Sequence, residues 1–256
     1  MDTPANFTQH GYAVIYDLLD VKLQTLLQQL AQQLVERHRA GEATVLAASV
    51  NIASVSQQHP ERNPGVQGQD WMLEPFIIGD LMTLEPRFTS VLSAASVWTS
   101  VAALLGCETE EVVLHFCNLT RKPQSTGPAV GWHRDADNRY FASRDKRTLR
   151  LLIPLQAMSA ENAGTAVVPG SHRCQEAAIE HALCPHVPVG AGLALHCEVL
   201  HGGAPNRSRL ERDVLVIQFG VRSSVLSYQA DEAYALADRD ALVRATEQRL
   251  AALIRA

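Results

Sequence analysis

The second half of the chain contains five short runs rich in β-branched and other apolar residues, separated by Gly, Pro and Asn. The runs cover residues 112–116, 149–154, 165–168, 193–196 and 214–221. Many short strands broken by turn residues are typical of antiparallel barrels and sandwiches, whereas parallel sheets need helical crossovers between their strands. The pattern therefore predicts a mainly β core.

Helical patterns flank this core. In the first of them, leucines recur every three or four residues, which predicts one apolar face of an amphipathic helix: Leu23, Leu26, Leu27, Leu30 and Leu34. Two further helices are predicted over residues 87–105 and 231–255, and a short strand over 11–15. Residues 43–72 are rich in Ser, Gln, Asn, Gly and Pro, and they are predicted to form a long connection of the kind that often covers a functional site.

The chain shows no internal repeat, low-complexity tract or linker, so a single domain over residues 1–256 is predicted. A length of 256 residues is enough for one substantial core. The formal net charge is -5 and the basic residues form no stripe, which argues against a nucleic-acid partner. No run of about 18 apolar residues occurs, which argues against a membrane partner.

Cysteine usage and the first residues bear on the compartment. The five cysteines form no Cys-x-x-Cys pair, which favours reduced thiols over a disulfide framework. The first residues lack the basic and then apolar layout of a secretory signal. A cytoplasmic protein is therefore expected, and the sequence gives no indication of its oligomeric state.

The stretch Gly131-Trp132-His133-Arg134-Asp135 is the first with a clear chemical implication. In an extended backbone His133 and Asp135 point to the same face. An imidazole and a carboxylate side by side are two of the three ligands in the facial triad that holds non-haem Fe(II). The pattern alone is weak, because a His and an Asp two residues apart are usually surface neighbours. A second cluster supplies two candidates for the third ligand, His196 and His201.

Four stretches together carry a family pattern. They are Gln9-His10-Gly11-Tyr12-Ala13-Val14-Ile15; Trp132-His133-Arg134-Asp135; Glu161-Asn162-Ala163-Gly164-Thr165 followed by Pro169-Gly170-Ser171-His172; and Leu200-His201-Gly202-Gly203-Ala204-Pro205-Asn206 with Arg212 eleven residues after His201. In this order they resemble the phytanoyl-CoA dioxygenase family of Fe(II)/2-oxoglutarate oxygenases. The resemblance implies a double-stranded β-helix, or jelly roll, with N-terminal and C-terminal helices packed around it.

The resemblance also implies roles for individual residues. His133, Asp135 and His201 would be the iron ligands, because only His201 begins the family's His-Gly-x-x-x-Asn run. Arg212 would bind the distal carboxylate of 2-oxoglutarate, for which a guanidinium offers a planar bidentate clamp. The implied function is an oxygenase that uses Fe(II), 2-oxoglutarate and O2 and releases succinate and CO2. Hydroxylation is the default outcome.

One departure from the family concerns the cosubstrate. Many members have Ser two residues after the distal histidine, whereas this chain has Gly203. The hydroxyl that often shares the cosubstrate carboxylate must therefore come from elsewhere or be absent. Thr148 is the candidate that the sequence offers.

The segment after the metal motif bears on the substrate, a small molecule. Asp137, Asn138 and Arg139 follow directly on two predicted iron ligands and are expected at the mouth of the barrel, where loops select ligands. Their charges and amide would suit a small polar or zwitterionic compound, such as an amino acid or a natural-product intermediate. An acyl chain would leave them unpaired, at about 1–3 kcal/mol each.

Two other classes of function remain open at this stage. One is a catalytically silent jelly roll that binds a metal or a small ligand. The other is a zinc hydrolase with the same three ligands, although no general base is recognisable. The sequence does not identify the substrate, the position oxidised, or whether desaturation or cyclisation replaces hydroxylation.

Overall fold

The computed structural model describes residues 3–66, 74–174 and 176–255, which form an antiparallel β core with helices around it. The strands are β1 (Tyr12–Ile15), β2 (Ser49–Asn51), β3 (Pro75–Ile78), β4 (Val112–Lys122), β5 (Val130–His133), β6 (Phe141–Ser143), β7 (Thr148–Pro154), β8 (Ala166–Val167), β9 (Gly192–His196), β10 (His201–Gly203), β11 (Arg212–Val221) and β12 (Leu226–Gln229). The helices are α1 (Thr3–His10), α2 (Val21–Arg39), α3 (Ala43–Ala47), α4 (Ile52–Gln58), α5 (Leu81–Leu84), α6 (Thr89–Leu92), α7 (Ala95–Leu105) and α8 (Arg239–Arg255). The predicted class, a β core with flanking helices, is confirmed.

Two sheets face each other across the interior. Within the described ranges, the larger sheet has the strand order β1-β9-β7-β11-β4-β3-β2, and every neighbouring pair is antiparallel. The smaller sheet has the order β5-β10-β8 and is also antiparallel. Side chains from both sheets line one cavity. This arrangement is that of a jelly roll.

β11 is the central strand of the larger sheet, and its whole length is buried. Leu215, Ile217 and Phe219 belong to the core that the sheet forms with the helices. Val214 and Val216 belong to a second cluster on the opposite face, between the two sheets. Because side chains alternate along a strand, Arg212 shares the face of Val214 and Val216 and points between the sheets.

Helix α2 forms as the leucine spacing predicts. Its apolar face buries Leu27, Leu30 and Leu34 in the main core. The carboxylate of Asp20 accepts a hydrogen bond from the backbone N–H of Leu23 at 2.8 Å, which caps the start of the helix. Burying three leucines contributes roughly 5–9 kcal/mol of hydrophobic stabilisation before the entropy cost of ordering them.

The helix predicted over residues 87–105 is interrupted, because α6 ends at Leu92 and α7 begins at Ala95. The carbonyl oxygens freed at the break are used by distant side chains. Trp98 Nε1 donates to the carbonyl of Leu92 and Arg239 Nε to that of Ser93, each at 2.7 Å. Tertiary hydrogen bonds therefore compensate for the interruption.

In the described part of the chain, no single helix is long and apolar enough to cross a membrane. The pair Pro86–Leu92 and Ala95–Leu105 passes that test of length and composition only in combination, across a bend of 53°. Large apolar residues of this pair, Phe88 and Trp98 among them, are fully buried in the core.

The other two predictions for the helical parts were wrong in extent. The last helix begins at Arg239 rather than near residue 231, because Leu236 has a positive φ of 63° and Asp238 Oδ1 accepts from the backbone N–H of Ala241. The predicted connection over 43–72 contains α3, β2 and α4, and its last part lies outside the described residues. The main apolar cluster runs from Phe7 to Leu242. The single domain over 1–256 stays a prediction.

Candidate metal centre and active-site cavity

The smaller sheet brings two histidines together. β5 and β10 pair so that His133 and His201 are direct partners, and their ring centroids lie 4.3 Å apart. The chain remains extended through Arg134 and then turns, which places Asp135 beside both rings. Ligand atoms of His133, Asp135 and His201 all lie within 4.8 Å of one another. This spacing allows one metal ion to contact all three.

Backbone carbonyl groups orient both imidazoles. Nδ1 of His133 lies 2.8 Å from the carbonyl oxygen of Gly131, and Nδ1 of His201 lies 3.0 Å from that of Val199. Each Nδ1 therefore carries the proton, and each Nε2 keeps a free lone pair on the side of Asp135. Burial lowers the pKa of His201 to about 4, so this ring is neutral at neutral pH. Neutral imidazoles with aligned lone pairs are what a divalent metal requires.

Asp135 supplies the negative charge of the group. Its side chain is 2% exposed, and neither oxygen makes a hydrogen bond of good geometry with the described residues. Nε2 of His133 and of His201 lies 3.5 and 3.7 Å from a carboxylate oxygen, and Nη1 of Arg150 lies 2.9 Å away. Burial alone would raise the pKa of Asp135, but the charge of Arg150 together with His201 and His133 outweighs it, and the pKa is about 2. A buried, ionised and incompletely bonded carboxylate fits a metal ligand.

A cavity of about 180 Å³ lies between the two sheets at this group. It is lined by Arg62, Phe76, Ile77, Asn118, Thr120, Lys122, Val130, His133, Arg150, Leu152, Thr165, His201, Gly202, Gly203, Arg212 and Val216. Both apolar and polar side chains form its wall. A small molecule that enters it therefore reaches His133 and His201 directly.

Two cations face this cavity from the end of the larger sheet. Lys122 and Arg212 are direct partners on β4 and β11, and both are buried. Nζ of Lys122 donates to the carbonyl oxygens of Ala204 at 2.6 Å and Ala163 at 3.3 Å. Nε of Arg212 has no hydrogen-bond partner in the described chain. Burial lowers the pKa of Arg212 to about 10, and burial followed by the charge of Arg212 lowers that of Lys122.

Two buried cations side by side are unfavourable unless an anion joins them, because each has lost its hydration. Among the described residues, neither Lys122 nor Arg212 forms an ion pair within 4 Å. The pair is therefore suited to a carboxylate of a ligand. Sequence reasoning identified Arg212 but missed Lys122, because the predicted strand ended at residue 116 and a lysine before a proline carries no distinct signal.

The fold and this cavity agree with the comparison to known families. The sequence model described as phytanoyl-CoA dioxygenase (PhyH) matches residues 7–214. The chain belongs to the phytanoyl-CoA dioxygenase family. This membership confirms the resemblance predicted from the four stretches. With the His-Asp-His group it supports an oxygenase-type function.

Solved structures share the phytanoyl-CoA dioxygenase fold. AviO1 from Streptomyces viridochromogenes Tue57 is 20% identical, with a TM-score of 0.68 over 87% of this chain and 95% of that one. EctD from S. alaskensis, with 2-oxoglutarate and 5-hydroxyectoine, is 21% identical, with a TM-score of 0.71 over 91% and 84%. The epimerase SnoN from nogalamycin biosynthesis is 16% identical, with a TM-score of 0.64 over 89% and 84%. A separate EctD structure contains Fe. No curated protein matches this chain significantly.

The departure from the family at Gly203 has a structural counterpart. A Cβ built on Gly203 would lie 2.8 Å from Nζ of Lys122, so the amine occupies the space that a serine side chain would need. The geometry does not support the prediction that Thr148 replaces the missing hydroxyl. Thr148 pairs with Gly220, eight residues along β11 from Arg212, which corresponds to roughly 26 Å. Thr165 and Thr120 are the threonines that line the cavity in the described chain.

The structure does not bring the three residues predicted to bind substrate, Asp137, Asn138 and Arg139, into the cavity. Asp137 and Arg139 are exposed, and neither lines the cavity. Oδ1 of Asn138 accepts a hydrogen bond from the backbone N–H of Tyr140 at 2.7 Å, which uses that amide in its own turn. Their role in substrate binding stays a prediction without support from this geometry.

The alternative histidine, His196, lies apart from the metal-ligand group. It ends β9 in the larger sheet and packs against His172, with ring centroids 5.2 Å apart. Nε2 of His172 lies 3.1 Å from the carbonyl oxygen of Thr8, which holds the N-terminal helix against this turn. Both histidines therefore stabilise the fold around the family's first motif.

Proposed function

We propose that this chain is an Fe(II)/2-oxoglutarate-dependent oxygenase that hydroxylates a small polar metabolite, with release of succinate and CO2. One observation carries the proposal. The His133, Asp135 and His201 group and the unpaired cations Lys122 and Arg212 face the same cavity. A metal site beside a separate carboxylate site is what a chelating dicarboxylate cosubstrate needs.

The roles of the residues follow from their surroundings. His133, Asp135 and His201 would hold iron on one face and leave the cavity side open. Arg212 and Lys122 would bind the distal carboxylate of 2-oxoglutarate through charge-assisted hydrogen bonds, with Thr165 as an additional donor. Iron and 2-oxoglutarate, when bound, supply O2 activation coupled to oxidative decarboxylation of the cosubstrate. The two sheets would hold the metal site and the carboxylate site in fixed positions, and they would exclude bulk water from the end of the cavity at Lys122 and Arg212.

The polar wall of the cavity supports a small polar substrate, because Asn118, Thr120 and Arg150 present polar groups to it that an apolar ligand would leave desolvated. Phe76, Ile77 and Val130 add apolar surface to the same cavity. An amino acid or a natural-product intermediate has both kinds of surface. EctD, whose fold this chain shares, holds 5-hydroxyectoine, a small polar molecule.

The test uses purified protein under anaerobic conditions. Addition of Fe(II) and then 2-oxoglutarate should produce a weak visible charge-transfer band, which a catalytically silent protein without chelated cosubstrate would not give. In air, a screen of small metabolites should identify a compound that increases succinate release. Absence of the band in iron-loaded wild-type protein would exclude the proposal. Robust turnover of a fatty acyl thioester would exclude the proposed substrate class.

A further inference from the structure

Among the residues that the structure describes, Arg150 is the arginine or lysine of the cavity wall that contacts the metal-ligand group itself. It lies on β7, and its Nη1 is 2.9 Å from Oδ1 of Asp135. Its guanidinium carbon lies 5.4 Å from the ring centroid of Phe116, and its Nε is 3.4 Å from Oε1 of Gln218. The guanidinium is therefore held in place by a carboxylate, an aromatic ring and an amide. Nη2 has no partner among the described residues.

The strand register separates Arg150 from the proposed cosubstrate cations. Arg150 pairs with Gln218 on β11, and Gln218 pairs with Phe116 on β4. Arg212 pairs with Lys122, six residues away from the Gln218–Phe116 pair along the same two antiparallel strands. Six residues of strand correspond to roughly 20 Å. Because of this separation along the strands, a distal carboxylate held at Arg212 does not occupy the free edge of Arg150.

The charges around the cavity leave Arg150 without a full counter-ion once a metal is bound. Four cationic side chains line the cavity, and Asp135 is the carboxylate within 4 Å of any of them in the described chain. A divalent metal would take up the charge of Asp135. The two carboxylates of a dianionic cosubstrate would be used at the metal and at the Lys122–Arg212 pair, which leaves none for Arg150. The side chain of Arg150 is 18% exposed, and a guanidinium so largely removed from water is stabilised by a further anion.

We propose that Arg150 is the specificity-determining residue for the substrate and binds a carboxylate, phosphate or sulfate group of it beside Asp135. This inference rests on the proposed function and deepens it by naming the charge of the substrate. Nη2 and the outer edge of Nη1 form a fork that matches an oxyanion. Phe116, stacked on the guanidinium, keeps the fork in one plane.

The test measures binding rather than turnover. The anaerobic complex of the protein with Fe(II) and saturating 2-oxoglutarate is titrated with acetate, inorganic phosphate and sulfate in turn, and the visible charge-transfer band is followed. We expect at least one anion to shift the band saturably without abolishing it, and the anion that does so identifies the group. Arg150→Gln should lower the affinity for that anion by at least tenfold. Arg150→Lys, which keeps the charge but loses the fork, should retain part of the affinity.

The control is Arg244→Gln, which removes an exposed arginine of α8 and makes the same change in net charge. This variant should bind the anion as the wild type does. Iron content is measured for each variant, because a role of Arg150 limited to orienting Asp135 would lower iron retention without selective loss of anion binding. No shift with any of the three anions, or equal shifts in wild type and Arg150→Gln, would overturn the inference. A wild-type protein that gives no band would instead count against the proposed function.

Discussion

Lys122 and Gly203 are sterically coupled across the cavity, because a Cβ on Gly203 would lie 2.8 Å from Nζ of Lys122. The amine in turn donates to the carbonyl oxygens of Ala163 and Ala204. A lysine and a side chain at position 203 therefore compete for one space. The absence of serine at position 203 and the presence of the buried lysine form a single structural feature.

The first prediction follows from this competition. Lys122→Met should weaken 2-oxoglutarate binding by about 10-fold or more, since a charge-assisted contact of roughly 1.5–3 kcal/mol is lost. Gly203→Ser should weaken it as well, because the displaced amine loses its hydrogen bonds. In the double variant the two effects should be less than additive. Titration with 2-oxoglutarate, followed by the charge-transfer band, measures the affinity of the two single variants and of the double variant. Full additivity of the two effects would show that the two positions do not interact.

Arg212 and Arg207 provide a matched pair for the second prediction. Arg212→Leu should raise the 2-oxoglutarate requirement by about 30- to 1,000-fold, which corresponds to roughly 2–4 kcal/mol for a desolvated bidentate contact. Nη2 of Arg207 instead donates to Oδ1 of Asn63 at 2.7 Å and to the carbonyl oxygen of Pro64 at 3.0 Å. Arg207→Leu should therefore lower the melting temperature and leave the cosubstrate affinity unchanged. A larger loss of affinity in Arg207→Leu would contradict the assignment of Arg212.

The third prediction concerns the metal ligands. Replacement of His133, Asp135 or His201 by Ala should abolish tight Fe(II) binding, measured by calorimetry, while circular dichroism stays close to that of the wild type. The fold should persist because the main core packs on the other face of the larger sheet. Asp135→Glu should also bind iron poorly, since an added methylene displaces the carboxylate by more than a metal bond tolerates. A variant that keeps wild-type affinity would remove its residue from the metal site.

The fourth prediction is a pH dependence of stability in the metal-free protein. Burial lowers the pKa of His115 to about 4, whereas an unfolded histidine titrates near 6.5. Between these values the unfolded chain binds the extra proton, so the free energy of unfolding should fall as the pH decreases from 6.5 to 4. One histidine contributes at most about 1.4 kcal/mol per pH unit. Urea unfolding at several pH values measures this slope.

Two variants isolate the contribution of His115. Nδ1 of His115 lies 3.1 Å from Nε2 of Gln218, so His115→Asn keeps an acceptor for that amide while it removes the titrating group. The slope should become shallower in this variant. His181→Asn, which replaces an exposed histidine, should leave it unchanged. An unaltered slope in His115→Asn would show that other groups cause the pH dependence.

The fold class and the chemistry were accessible from the sequence, and the extent of several elements was not. Helix α2 could be predicted because its leucines recur at helical spacing within one short segment. The family could be predicted because its four motifs occur in a recognised order along the chain. The break between α6 and α7 depends on Trp98 and Arg239, which take the carbonyl oxygens of Leu92 and Ser93. No local propensity indicates such distant donors, so one continuous helix was predicted there.

The sequence by itself determined that His133 and Asp135 share one face of a short extended segment, because side-chain direction along a strand is a local property. Only the tertiary structure decided which residues meet across strands. It placed Lys122 opposite Arg212, Arg150 against Asp135, and Thr148 on β7 beside the far end of β11. These relations depend on strand register. Strand register is fixed by the packing of whole sheets and by the geometry of the turns. The residues next to any one position in the sequence do not specify it.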